Sequence, residues 1–326
     1  MSSPTPRQLR ENKVFPLSHC LADPDSGVGI VAIQKNGCTT LKRWFLSVAE
    51  PGREFPDTAD VHYYCRIHHA LCNIGDPAVA AERFAKCFTI AFVRDPVSRV
   101  ASAFVDKFVG PAPDDLFEPA RDVVEDFARM RGAAVTHDRV RPLVLPDRTI
   151  DVPYSSAVDY QRGITFREFG EYLAAAPDEH LDGHWRSQAS FLGWKRPDLL
   201  VRAEAMNDVL AAISGLIGLG VVPGTRHSTT FYTKHTGGPH ADLPSGDMHR
   251  NWVRPRPEYL YDDALREVVR HRFAADVALY DSAAASLTDA ARSVLLAKAH
   301  VASPSPSPRP AVVAAPAPTA GAVHGH

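Results

Sequence analysis

Two short apolar runs, each breaking into a polar turn and then into a helical stripe, organise the first third of the chain. The first is Val28 to Ile33, followed by Gln34-Lys35-Asn36-Gly37-Cys38-Thr39-Thr40 and an amphipathic stretch from Thr40 to Ala49. The second is Cys87 to Val93, followed by Arg94-Asp95-Pro96 and a stretch from Pro96 to Phe108. Continuous apolar runs of this length read as strands buried on both faces. A third, Leu199 to Arg202, leads into helical periodicity from Glu204 to Ile217. Helical patterns also cover Phe166 to Ala176 and Pro257 to Tyr280. Pro111 to Pro113, Pro142 to Pro153 and Thr229 to Ser245 carry the Pro, Gly and polar residues of loops. Strands alternating with helices predict an α/β fold, a three-layer α/β/α sandwich with a central parallel sheet. Ligands of such sheets bind beyond the carboxyl ends of the strands, where both polar turns fall.

Each turn has the chemistry to hold phosphate. After Ile33, Gly37 lets backbone amides approach an anion, Cys38, Thr39 and Thr40 open a helix N-terminus, and Lys35 with Asn36 adds charge and a polar side chain. The order excludes a Walker A loop, which needs its lysine after the glycines. After Val93, Arg94 ends the strand, Pro96 suits the first position of a helix, and Ser102 follows two turns later. Two grips of this kind suit a nucleotide with two separated phosphates.

The segment Lys35-Asn36-Gly37-Cys38-Thr39 resembles the 5′-phosphosulfate-binding loop of the carbohydrate sulfotransferases that use 3′-phosphoadenosine 5′-phosphosulfate. Arg94-Asp95-Pro96-Val97-Ser98-Arg99-Val100-Ala101-Ser102 resembles the 3′-phosphate-binding motif of the same family, of the sulfotransferase family 2 type. Weaker similarity runs through Gly163 to Phe169, His184 to Gln188, Leu199 to Asp208 and Tyr259 to Asp281, so that it spans roughly residues 28 to 281. Gln34 stands where the family commonly has proline, and residues 110 to 160 depart from the pattern as a segment expected to carry acceptor specificity. The resemblance implies a P-loop-NTPase-like sulfotransferase fold. It further implies an enzyme that moves a sulfuryl group from that cosubstrate to a hydroxyl of a carbohydrate, glycoconjugate or small hydroxylated acceptor. Lys35 would act on the leaving phosphate oxygen, with Arg94 and Ser102 on the 3′-phosphate, and no metal is required.

An acceptor hydroxyl needs a base, and histidine titrates in the useful range. His62, His68 and His69 lie between the two motifs, where several members of the resembling family place a catalytic histidine or glutamate. His69 is the first choice as base and His62 the second, with His68 an acceptor contact; each also suits a structural role beside Tyr63, Tyr64 and Ile67. His184 and Trp185 form a second constellation, the indole to stack on a ring and the imidazole to bind the acceptor, although a buried tryptophan anchoring a helix accounts for it equally. Lys234, in a Gly-rich loop, is a candidate to close over the 3′-phosphate.

Length and composition fit one large domain: 326 residues, 45% hydrophobic. A formal net charge of -2 gives no reason to expect nucleic acid as a partner. Five cysteines without a C-x-x-C pair argue against a zinc ribbon or a full disulfide framework. The first residues lack the apolar centre of a signal peptide, and no run reaches the roughly 18 apolar residues of a membrane span. The expectation is a soluble, bacterial-type cytoplasmic protein of undetermined oligomeric state. Its expected divisions are an extension over 1–25, the sulfotransferase domain over 26–284, a C-terminal helix over 285–302 and a disordered Pro- and Ala-rich tail over 303–326. A P-loop-like kinase or nucleotide hydrolase, or a non-catalytic nucleotide- or glycan-binding module, remain as alternatives.

Overall fold

A computed structural model describes residues 13–57, 59–116, 118–144, 149–219 and 240–299. The expected tail and Lys234 lie outside the described residues. Three strands form where the apolar runs predict them: β2 (Val28–Val31), β3 (Phe88–Val93) and β6 (Leu199–Arg202). They pair in parallel, β2 with β3 and β3 with β6. A fourth strand, β1 (Cys20–Asp23), lies antiparallel beside β2 and completes the order β1-β2-β3-β6. The sheet therefore begins inside the segment expected to be an extension. Cys20, Leu21 and Ala22 are buried, which is what holds this short strand in place.

Alternate residues of the strands face opposite layers. Ile30, Ile90 and Phe92 pack with Trp44 and Phe45 of α1 (Cys38–Ala49), and with residues of two later helices, Met206–Leu216 and Asp289–Lys298. Val31, Ala91 and Val93 pack with Phe84 of the helix Pro77–Lys86, with Phe191 and with Leu279. Helices thus cover both faces of a mostly parallel sheet. A third core joins the helices Pro96–Phe104, Glu118–Met130 and Phe166–Ala175 through Phe104, Phe108, Phe169 and Trp185.

Two expectations are corrected. Residues 142–144 and 149–153, read as parts of a loop, lie in two antiparallel strands, β4 (Arg139–Val144) and β5 (Thr149–Tyr154). The prolines misled because both strands of a two-stranded ribbon are edges, where a missing N–H is tolerated. The single helix expected from Pro257 to Tyr280 is three: Pro257–Leu260, Asp263–Arg272 and Ala274–Ser282. Asp262 restarts the chain as a helix by accepting the Leu265 N–H at 2.7 Å, a local cap that periodicity does not reveal. Among the described residues no helix is long and apolar enough to cross a membrane, and none of the five cysteines is in a disulfide.

Candidate active site

The turn after β2 carries two left-handed residues, Lys35 at φ 68° and Gly37 at φ 75°. Lysine tolerates that region poorly, so the backbone is strained where it delivers the charge. Gly37 suits the left-handed φ, while a Cβ there would lie 2.9 Å from Met206 Cε, the flexible end of a side chain that can give way. Behind the turn, α1 opens with Cys38, Thr39 and Thr40, presenting its N-terminal amides and hydroxyls. The second turn is set by Asp95, whose carboxylate accepts the Ser98 N–H at 2.8 Å and caps the helix Pro96–Phe104. Ser102 lies on that helix, which continues as a π-turn over Val105–Val109.

A single cleft of about 650 Å³ is lined by Lys35, Gly37, Cys38, Thr39 and Thr40 from the first turn and by Arg94 and Ser102 from the second. Asn36 is not among the lining residues. It is buried and donates to the Phe92 carbonyl at 2.9 Å and to Gln188 Oε1 at 2.6 Å. Gln188 is the joint between the two grips. Its Oε1 also accepts the Arg94 N–H at 2.9 Å, and its Nε2 donates to the Arg94 carbonyl at 2.8 Å. The fully buried Asp276 anchors this residue in turn, accepting the N–H groups of Gln188 and Ala189 and the Ser187 hydroxyl. Gln188→Leu would deprive the Arg94 N–H, the Arg94 carbonyl and the Asn36 amide of their bonds to this side chain, each left unsatisfied group costing about 1–3 kcal/mol. Thermal melts should show the loss of stability; a variant that melts unchanged would rule out the joint.

Arg99 makes the second tie. Only 1% exposed, it donates through Nε to the Gln34 carbonyl at 3.0 Å, through Nη1 to that of Arg186 at 2.8 Å and through Nη2 to that of Gly183 at 2.9 Å. Burial lowers its pKa to about 10, still well above neutrality. The guanidinium thus fixes the turn that bears His184 against the Lys35 loop.

Of the four candidate histidines, His62 and His184 line the cleft. His69 does not. Its Nε2 meets Glu50 at 2.7 Å, a carboxylate that also receives the Tyr64 hydroxyl and Arg53, and its ring packs edge-on to Phe45. His68 is exposed and stacks on Tyr64. Trp185 is 1% exposed and packed against Phe108 and Phe169, so the face expected to stack on a ligand is already covered. His62 receives the Lys42 ammonium on Nδ1 at 3.2 Å, which leaves Nε2–H to meet Thr39 Oγ1 at 2.9 Å. Partial desolvation and then Lys42 lower its pKa to about 4, and because solvent still reaches the ring, the cation is the more persistent cause. His184 is arranged oppositely. Its Nδ1–H donates to Asp182 at 2.5 Å, which makes Nε2 the acceptor nitrogen of the ring. Burial lowers its pKa, with Lys107 and Lys35 adding to the effect and Asp182 opposing it.

The model for the sulfotransferase family matches residues 18–281, most of the chain and all of the cleft. The chain belongs to the sulfotransferase family. No curated protein and no solved structure matches it significantly.

In this sulfotransferase, Asp106 and Lys107 also line the cleft, and the motifs did not point to either. Asp106 Oδ2 holds Lys35 Nζ and Lys107 Nζ, each at 3.1 Å. Burial pushes the Asp106 carboxyl up, but the two ammonium groups outweigh it and hold it below its ordinary range. Lys35 is itself lowered by burial, with Asp106 opposing. In an α-helix, residues five apart such as Ser102 and Lys107 sit roughly 140° apart; the wider π-turn brings them to one cleft. Asp182 was missed as well, though a carboxylate two residues before a histidine is a readable sign of an oriented imidazole. Among the described residues, no group of three His, Cys, Asp or Glu gathers to hold a metal ion.

Proposed function

We propose that the chain transfers a sulfuryl group from 3′-phosphoadenosine 5′-phosphosulfate to a hydroxyl of a carbohydrate or related hydroxylated acceptor. The observation that carries this reading is that two anion-binding turns line one cleft and are tied to each other through Gln188. The residues fit such a donor: cations at both ends, a helix N-terminus between them, and a volume within the range of small-molecule sites. Lys35, Gly37, Thr39 and Thr40 would hold the 5′ end, with Arg94 and Ser102 at the 3′ phosphate. Burial lowers the Arg94 pKa while Glu204 and Asp95 oppose it, so it stays a cation.

The donor supplies an activated sulfuryl group. The acceptor oxygen bonds to sulfur as the bond from sulfur to the 5′-phosphate oxygen breaks, giving a sulfate ester and adenosine 3′,5′-bisphosphate. Lys35 neutralises charge on the leaving oxygen. His184 Nε2 takes the hydroxyl proton, with Asp182 holding the tautomer and steadying the imidazolium. His62, its Nδ1 engaged by Lys42, is a contact residue rather than the base.

Calorimetry tests the donor. Adenosine 3′,5′-bisphosphate should bind and ATP, which lacks a 3′-phosphate, should bind poorly. Arg94→Ala should weaken the bisphosphate by about 1.5–3 kcal/mol, as expected of a hydrogen bond to a charged group. Preference for ATP in the unmutated protein would instead favour a kinase-like activity.

A further inference from the structure

A cavity of about 100 Å³ is bounded by the helix Glu118–Met130 and the strands β4 and β5, and its lining residues all fall within 113–160. Among the described residues it shares none with the cleft. Most of its wall is apolar: Leu116 and Val152, Pro113 and Pro142, and the rings of Tyr154 and Tyr160, which meet edge-on at 6.1 Å. A water needs roughly 10–15 Å³ of such space, so there is room for a single ring. Into this wall the helix sets Arg121, its side chain 15% exposed. The ion-pair contact of Arg121 is long, Nε standing 4.0 Å from Glu125 Oε1, and its guanidinium has no hydrogen-bond acceptor among the described residues. Glu125 has little need of it. That buried carboxylate already accepts the Tyr160 hydroxyl at 2.6 Å, meets His137 Nε2 at 2.9 Å and accepts from Arg129 at 3.3 Å. The Tyr154 hydroxyl is likewise without a hydrogen-bond partner among the described residues. At the rim, Arg141 lies 3.8 Å from Asp115, so these two charges offset one another.

The geometry points to a second binding site here, one that takes a monocyclic aromatic carboxylate, and the assignment does not depend on the sulfuryl-transfer reading above. The ring would lie among the tyrosines and prolines of the wall. Its carboxylate would take the Arg121 guanidinium, whose planar fork matches both carboxylate oxygens, and the Tyr154 O–H. Each half of the ligand answers a separate property of the cavity. An uncharged ring would leave a largely buried guanidinium without the anion it lacks, and an anion without a ring would leave the apolar wall unfilled.

The test is a ligand-observed NMR titration of the full chain with benzoate as probe, and with benzamide and acetate as its uncharged and ringless counterparts. Benzoate should bind at least roughly tenfold more tightly than either. Arg121→Gln should weaken benzoate roughly tenfold and leave benzamide unchanged, while Tyr154→Phe, which keeps the ring, should weaken benzoate by a smaller factor. Arg94→Ala, in the cleft, should leave benzoate binding as it is. The comparison of the three probes needs only the unaltered chain, so it decides the matter even if Arg121→Gln fails to fold. No binding of benzoate, equal binding of benzoate and either counterpart, or indifference of benzoate to Arg121→Gln in a folded variant overturns the assignment. Loss of benzoate in Arg94→Ala would place the probe in the cleft and overturn it as well.

Discussion

Lys35→Ala should lower turnover roughly 100- to 1000-fold, the usual effect of removing a group that stabilises charge only in the transition state. Affinity for adenosine 3′,5′-bisphosphate should change far less, because the helix N-terminus, Thr39, Thr40, Arg94 and Ser102 remain. The Lys35 ammonium is held by Asp106, 3.1 Å away, a carboxylate it shares with Lys107. A donor phosphate therefore has to draw Lys35 from Asp106. Asp106→Asn should release that competition and tighten bisphosphate binding, giving a second check on the same contact. Steady-state kinetics beside calorimetry separates the effects: equal losses in turnover and affinity for Lys35→Ala would make Lys35 a simple binding residue.

The second large effect belongs to His184. His184→Ala should cost about 100- to 10,000-fold in rate, the range for a positioned general base. The base acts as neutral imidazole, so the wild-type rate should fall as pH drops through its folded pKa and stay level above it. Burial, with Lys107 and Lys35, sets that pKa below the ordinary value, so the limb lies on the acid side of about 6.5. Asp182 opposes the shift, and Asp182→Asn should carry the limb further toward acid while lowering the rate, because the tautomer is no longer fixed. His69→Ala should keep both rate and pH profile. An unaltered acid limb in His184→Ala would return the role of base to His62.

Much of the two-turn cleft was legible in the sequence. Buried parallel strands announce themselves as unbroken apolar runs, and a glycine followed by threonines after such a run marks a helix N-terminus; both turns reach the cleft, although Asn36, read as part of the first, turns inward to Phe92 and Gln188. The histidines were less legible. Sequence proximity grouped His62, His68 and His69, yet His62 and His68 stand at opposite ends of the helix Val61–His68, His69 lies just past its C-terminus, and of the three only His62 lines the cleft. His184 comes from more than a hundred residues away, brought in by the three carbonyl contacts of Arg99, a residue quoted in the motif with no role assigned. Trp185 shows the opposite failure: adjacency to His184 suggested a shared task, but successive residues of a turn diverge, and the indole turned into the aromatic core. Lys107 was hidden for a different reason, since a π-turn changes which residues share a face and leaves no sign in hydrophobic spacing.

The two buried ties, Gln188 between the grips and Arg99 between the Lys35 loop and the His184 turn, bear on the thermodynamics of ligand capture. Backbone pinned by buried hydrogen bonds of this kind has less conformational freedom to lose when a ligand arrives, which lowers the entropic cost of capture. The same rigidity makes catalysis a matter of side-chain motion within a stationary frame. Lys35, on its strained turn and paired to Asp106, is the side chain expected to shift when an anion enters the cleft. Because a planar guanidinium alone offers N–H groups in three fixed directions, lysine at position 99 would keep the charge and lose the frame.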